Sequence, residues 1–202
     1  MNESIYMDER FKDSRLKTPK HDEVVMWCHK NIKKIASDYY DKNFKESNNE
    51  IIIEAQKRNI DISEFTESDP TIVKKIKWEK SIIVEKYKGK DIIGFLDMQA
   101  ECCYKRPIII ESNCGGGRLG APKPKRIENY TNRPTILNFE IKPFINSLGE
   151  LFRQINRYKA HCYPGEQFIV VSPDDRFRKV ILSQGYIFIK FPTMEISYPK
   201  ES

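Results

Sequence analysis

Apolar residues recur at helical spacing near the start of the chain: Val24, Val25, Cys28, Ile32, Ile35 and Ala36. That period predicts an amphipathic helix with one buried stripe. Thr18 stands where a cap is needed, and Pro19 suits the first turn. Tyr39 to Asn49 is polar and reads as a loop. Ile51 to Asn59 fits either a second helix or a strand, and acidic Asp61 to Pro70 reads as a connection. Ser81 to Tyr87 is β-branched and alternating, Lys88-Gly89-Lys90 is a turn, and Asp91 to Ala100 is a second strand; together they read as a hairpin. Pro107 to Glu111 extends or follows it as a further strand.

The later pattern is that of an α/β layer. Thr135 to Lys142 is a strand. Ser147 with Glu150 three residues on is a capping-box signature. Behind it Leu148, Leu151, Phe152 and Ile155 form a helical stripe. Pro164-Gly165 closes that segment and Gln167 to Val171 is a short apolar strand. Ser172-Pro173 opens a helix with Phe177, Val180 and Ile181 inward and Gly185 as its C-cap. Tyr186 to Phe191 is the last strand. Helices alternating with strands in this order predict a mixed sheet with right-handed crossovers near its end. Residues 1–80 form an N-terminal helical region, 81–192 the core, and 193–202 a tail.

Composition narrows the class. The chain has 202 residues, 39% hydrophobic and 11% aromatic, enough for a core. No apolar run approaches a membrane span, and Met1 to Arg15 lacks an apolar signal segment. The expectation is a soluble, cytoplasmic protein without a membrane partner. The net charge of +6 permits a polyanionic partner without requiring one. The five cysteines contain no C-x-x-C pair, and Cys102, Cys103 and Cys114 with a His match no standard zinc spacing. They read as buried or incidental thiols.

One stretch differs in kind. Residues 112–133 contain Gly115-Gly116-Gly117 and, from Arg118 onward, Arg118, Lys123, Lys125, Arg126 and Arg133 against Glu128 alone. Such an insertion suits sequence-independent contact with phosphates, although an ordinary solvated loop has the same composition. Arg153, Arg157 and Lys159 on the capped helix extend the positive surface.

The candidate chemistry lies on the strands. Glu140 and Lys142 are two apart, so both point to one face of their strand, with Phe139 and Ile141 opposite. Asp97 interrupts another apolar strand. If those strands neighbour each other, the two carboxylates make a hard-oxygen site for Mg²⁺ or Mn²⁺. A lysine beside such a metal positions or polarises a water. Gln154 and Tyr158, four apart, share one helix face. Each feature also has an ordinary reading: a surface ion pair for Glu140 and Lys142, a core aromatic for Tyr158, a surface helix former for Gln154.

In order, Asp97, Glu140-Ile141-Lys142 and Gln154-x-x-x-Tyr158 resemble the PD-(D/E)XK nuclease superfamily, the last element being similar to the Q-x-x-x-Y motif of RecB-like branches. The resemblance spans about Ser81 to Phe191. It implies a restriction-endonuclease-like core, a central mixed β-sheet flanked by helices on both faces. It implies that Asp97, Glu140 and the Ile141 carbonyl ligate the metal, that Lys142 activates water, and that Gln154 and Tyr158 contact the nucleic acid or support the site. A helix-borne acid would be Glu23, with Asp22 as rival; Glu23 also reads as a first-turn acid favoured by the helix dipole. The histidines, His21 among them, read as surface or core residues, with His161 a distant candidate. Leu96 stands where the pattern has proline, Pro143 follows Lys142 directly, and the spacing from Asp97 to Glu140 implies an insertion. The iron–sulfur cysteine cluster of some relatives is missing, so no cluster is expected.

The expected function is a metal-dependent deoxyribonuclease. Small size and basic charge resemble homodimeric Holliday-junction resolvases of viral or archaeal type, whereas the Gln154/Tyr158 motif resembles RecB-like exonucleases. The competing expectation is a non-catalytic nucleic-acid-binding protein on a degenerate nuclease fold.

Overall fold

The computed structural model describes residues 19–60, 62, 71–86, 89–110, 126–131 and 134–199. They form three helices and seven strands: α1 (Pro19–Lys57), β1 (Thr71–Lys86), β2 (Gly89–Ile110), β3 (Arg126–Thr131), β4 (Thr135–Ile141), α2 (Leu148–Lys159), β5 (Gln167–Ser172), α3 (Arg178–Ser183), β6 (Ile187–Lys190) and β7 (Glu195–Ser197). The class is α/β with a mixed sheet, in the order β1-β2-β4-β5-β6-β7, with β3 also pairing β2. β4, β5 and β6 run parallel, and β7 returns antiparallel to β6. β1 and β2 are neighbours joined by two residues, a connection that permits only antiparallel pairing. Among the described residues no helix is long and apolar enough to cross a membrane.

The chain divides into two compact units, one from Met1–Asn31, Lys77–Gln99 and Leu137–Ser202, the other from Ile32–Ile76 and Ala100–Ile136. In the first, Leu151, Ile155 and Tyr158 of α2 pack with Leu96, Phe168, Val170, Ile181 and Phe188. The Ser147 side chain accepts the Glu150 N–H at 3.3 Å, which satisfies one orphan donor of α2 as the cap signature predicts. α3 ends where Gly185 takes φ +80, a conformation that costs glycine little.

In the second unit, Tyr39, Tyr40 and Phe44 gather around Tyr104, with ring centroids 5.4–6.1 Å apart. This cluster corrects the loop expected over Tyr39 to Asn49. The segment is helical, and α1 continues through Ile51 to Lys57. The aromatic stripe supplies burial that the polar composition conceals. Asn48 is buried within it, bonded to the Tyr40 hydroxyl and to Arg106 Nε. Asn59 at φ 51 and the Ile60 N–H to Ala55 carbonyl bond (2.9 Å) end the helix.

β2 runs on through Pro107 to Ile110, the first of the two alternatives that the sequence left open there. Three further differences are local. Part of the expected basic loop, Arg126 to Thr131, is strand β3, while 111–125 lies outside the described residues. α3 starts only at Arg178 and is six residues long, so Val180 is 42% exposed while Ile181 is buried. The expected tail contains β7.

Candidate active site

The site is built within the first unit. Asp97, on β2, is 3% exposed and Glu140, on β4, is 1% exposed. Buried carboxylates are costly unless each has partners. Asp97 Oδ2 accepts the Ile141 backbone N–H at 2.7 Å, and its Oδ1 lies 3.2 Å from His21 Nε2. Glu140 Oε1 is 2.6 Å from Lys142 Nζ. Thus the Ile141 N–H ties β4 to Asp97 of β2, while Lys142, one residue on, pairs with Glu140 of its own strand. In register, Glu140 pairs with Val170 and Asn138 with Phe168, so both polar residues share one face of β4. Phe139 and Ile141 turn to the other face, as the alternation predicts.

The electrostatics follow from this arrangement. Burial alone would push the Lys142 ammonium down. The Glu140 carboxylate beside it, with Asp97 and Tyr158 adding, instead holds it above the ordinary lysine range. Lys142 therefore keeps its proton at neutral pH and acts as a donor. Burial, then the Asp97 charge, push the Cys28 thiol far above the usual thiol range, so it stays protonated. The described cysteines Cys28, Cys102, Cys103 and Cys162 are unbridged; Cys114 lies outside the described residues.

α2 contributes Gln154, whose Nε2 donates to the Tyr158 hydroxyl at 3.1 Å. Tyr158 is buried and lies against Gly94 of β2, where an added Cβ would overlap its ring. Glycine at 94 thus makes room for the tyrosine. A cleft of about 180 Å³ opens beside these groups, lined by Lys142, Phe144, Ile145, Asn146, Ser147, Glu150, Leu151 and Gln154.

The helix-borne residue at the site is His21, and neither expected acid takes that place. Glu23 is exposed, and Asp22 stands behind the imidazole with Oδ1 3.4 Å from His21 Nδ1. The reason is helical phase: His21 lies three and seven residues before Val24 and Cys28, on the inward stripe, whereas Glu23 is two residues further round. That phase was readable from the chain, and the histidine belonged in the stripe. Gln99 and Asn138 form a second buried polar group. Gln99 Nε2 donates to Asn138 Oδ1 at 2.8 Å, and Asn138 Nδ2 donates to Glu166 Oε2 at 2.7 Å. It extends the polar interior by one alternation along β2 and β4.

Arg153 and Arg157 are exposed on α2, Arg153 being 3.9 Å from Glu150, and His161 is exposed just beyond its end. Arg126 opens β3 opposite Ile110. Arg118, Lys123 and Lys125 lie outside the described residues. Among the described residues no three His, Cys, Asp or Glu side chains gather as a metal-binding group. The two carboxylates offer hard oxygens of the kind Mg²⁺ and Mn²⁺ take. Mg²⁺ commonly binds through one or two carboxylates, completed by water and substrate phosphates. The donor set fits such an ion by its chemistry. No protein-family model, curated protein or solved structure matches this chain.

Proposed function

We propose that the chain is a metal-dependent nuclease that hydrolyses phosphodiester bonds in DNA on a restriction-endonuclease-like core, working as a homodimer. The observation that supports this reading most is the buried pair Asp97 and Glu140 on adjacent strands, with Lys142 Nζ 2.6 Å from Glu140. Interior charge is expensive, and a strand core has cheaper apolar solutions; buried, mutually perturbed titratable groups concentrate where chemistry is done.

Asp97, Glu140 and the Ile141 carbonyl would hold Mg²⁺ or Mn²⁺. When bound, the ion would supply Lewis acidity toward a phosphate oxygen and acidify a water. Lys142, protonated, donates a hydrogen bond toward the attacking water or a phosphate oxygen and offsets charge developing there. The Ile141 N–H fixes Asp97, and His21 Nε2 stands 3.2 Å from its other oxygen. The Gln154–Tyr158 pair stiffens the wall beside the cleft and offers polar atoms to the nucleic-acid backbone. Exposed Arg153 and Arg157 add sequence-independent attraction.

The test is cleavage of a labelled four-way junction, linear duplex and single strand with Mn²⁺ and then Mg²⁺. Wild type runs beside Glu140→Ala and Lys142→Ala. The expected result is cleavage by wild type and a loss on the order of a thousandfold in each variant. The preferred substrate then chooses between resolvase-like and exonuclease-like action. Binding without cleavage by all three proteins would replace the proposal with a non-catalytic nucleic-acid-binding role.

A further inference from the structure

Two residues past Lys142, Phe144 stands 58% exposed at the edge of the same cleft. One face of its ring is taken by Arg176, whose guanidinium carbon lies 5.2 Å from the Phe144 centroid and 5.2 Å from the Phe177 centroid. The guanidinium is not loose. Asp174 holds it in a two-pronged grip, Nε to Oδ1 at 2.8 Å and Nη2 to Oδ2 at 2.7 Å. Asp174 is anchored in turn, its backbone N–H donating to Oγ of fully buried Ser172 at 3.1 Å. Hydrogen bonds from Arg176 hold the Asp174 carboxyl below the usual carboxylate range. The result is a layered Phe144–Arg176–Phe177 stack, fixed from below.

We propose that this stack is a platform for one unpaired base of the nucleic-acid substrate. Three features carry the assignment. Fixed aromatic and guanidinium planes bind bases of any sequence by stacking, at little entropic cost to the protein. Phe144 and Lys142 are at most about 7 Å apart along the chain, so a base on the ring leaves its own phosphate within reach of the ammonium. The cleft between them is lined by Asn146, Ser147 and Gln154, polar groups suited to a sugar–phosphate backbone. A base paired within a duplex cannot present its face to the ring, so the platform selects single-stranded or splayed nucleotides. The inference rests on the proposed function and narrows it to substrates with an unpaired nucleotide at the site.

The experiment measures equilibrium binding by fluorescence anisotropy in EDTA, so that no cleavage intervenes. The probes are a fluorescein-labelled 20-mer of thymidine and a labelled 20-base-pair duplex. Phe144→Ala should weaken single-strand binding by at least about fivefold and change duplex binding by less than about twofold. Phe144→Trp should restore single-strand affinity. Arg176→Lys, which keeps the charge and loses the plane, should fall between them. Unchanged melting temperatures would exclude misfolding, and Phe144 and Arg176, both exposed, should tolerate the three changes. Equal effects on both probes, no effect on either, or no binding of either probe would each overturn the platform. Cleavage is scored separately. Cleavage with an indifferent Phe144 would leave the nuclease standing and remove the platform; a selective Phe144 effect without cleavage would do the reverse.

Discussion

One long strand, β2, has residues in both compact units, and two stretches along its middle are buried by different means. Around Leu96 to Gln99 the interior holds carboxyl and amide groups: Asp97 against His21 and the Ile141 N–H, and Gln99 against Asn138. Around Cys102 to Tyr104 it holds thiols and rings, with Tyr104 fully buried among Tyr39, Tyr40 and Phe44. Both segments are buried, so burial alone does not mark a site. The difference lies in what burial costs. Rings gain by leaving water, whereas carboxylates lose unless their geometry is held by partners. The polar segment is organised at the expense of stability, and that is where chemistry is best sought.

The aromatic side of the comparison breaks first. Tyr104→Ala should cost about 3–5 kcal/mol, the range for deleting a buried ring, read as a shift in the urea midpoint, and should leave cleavage per folded molecule unchanged. A loss below about 1 kcal/mol would show that the ring cluster is not the core of its unit.

The charged side should respond in the opposite sense to pairwise change. Lys142→Met leaves Glu140 buried beside an apolar chain and should destabilise by about 3 kcal/mol. Adding Glu140→Gln should return most of that loss while activity stays absent. A double variant no more stable than the single would refute the claim that this pair is kept for function over stability. Because the ammonium's folded pKa is raised, the pair contributes fully below the unfolded lysine value and is lost as pH rises through the folded one. The gap between wild type and Lys142→Met should therefore be constant from pH 7 to 9 and shrink only above about pH 10.4.

Gly94→Ala sharpens the link between strand and helix. The new methyl would overlap the Tyr158 ring, so a cost of about 1–3 kcal/mol with a fall in cleavage is expected by urea unfolding and nuclease assay. Ser147→Ala removes the cap of α2 and should cost only about 1 kcal/mol, seen as a lower melting temperature. It sits on the cleft wall, so a selective loss of single-strand affinity beyond the stability change would add a ligand role to its capping one.

Much of the α/β order was legible locally. The capped helix α2, strands β4 to β6 and the glycine stop after α3 follow from periods of two and 3.6 residues and from cap chemistry, which act within a few residues along the chain. The same alternation placed Glu140 and Lys142 together, and the four-residue spacing placed Gln154 on Tyr158. Helix phase held one more piece, His21, which its own period puts beside Cys28 and Glu23 does not share.

Tertiary structure alone decided the remainder. Tyr39 to Asn49 is helical because Tyr104, distant in sequence, gives its tyrosines a surface to cover, and no local propensity reports that partner. Asp97 meets the Ile141 N–H because β2 and β4 are neighbours, a pairing across an intervening strand, β3. The Arg176 grip on Phe144 joins the loop after β5 to the loop after β4, two segments whose residues look like ordinary solvated turns when read singly. Sequence patterns encode which face of its own element a side chain takes, because backbone geometry repeats. Which other element meets that face depends on burial and charge summed over the whole chain.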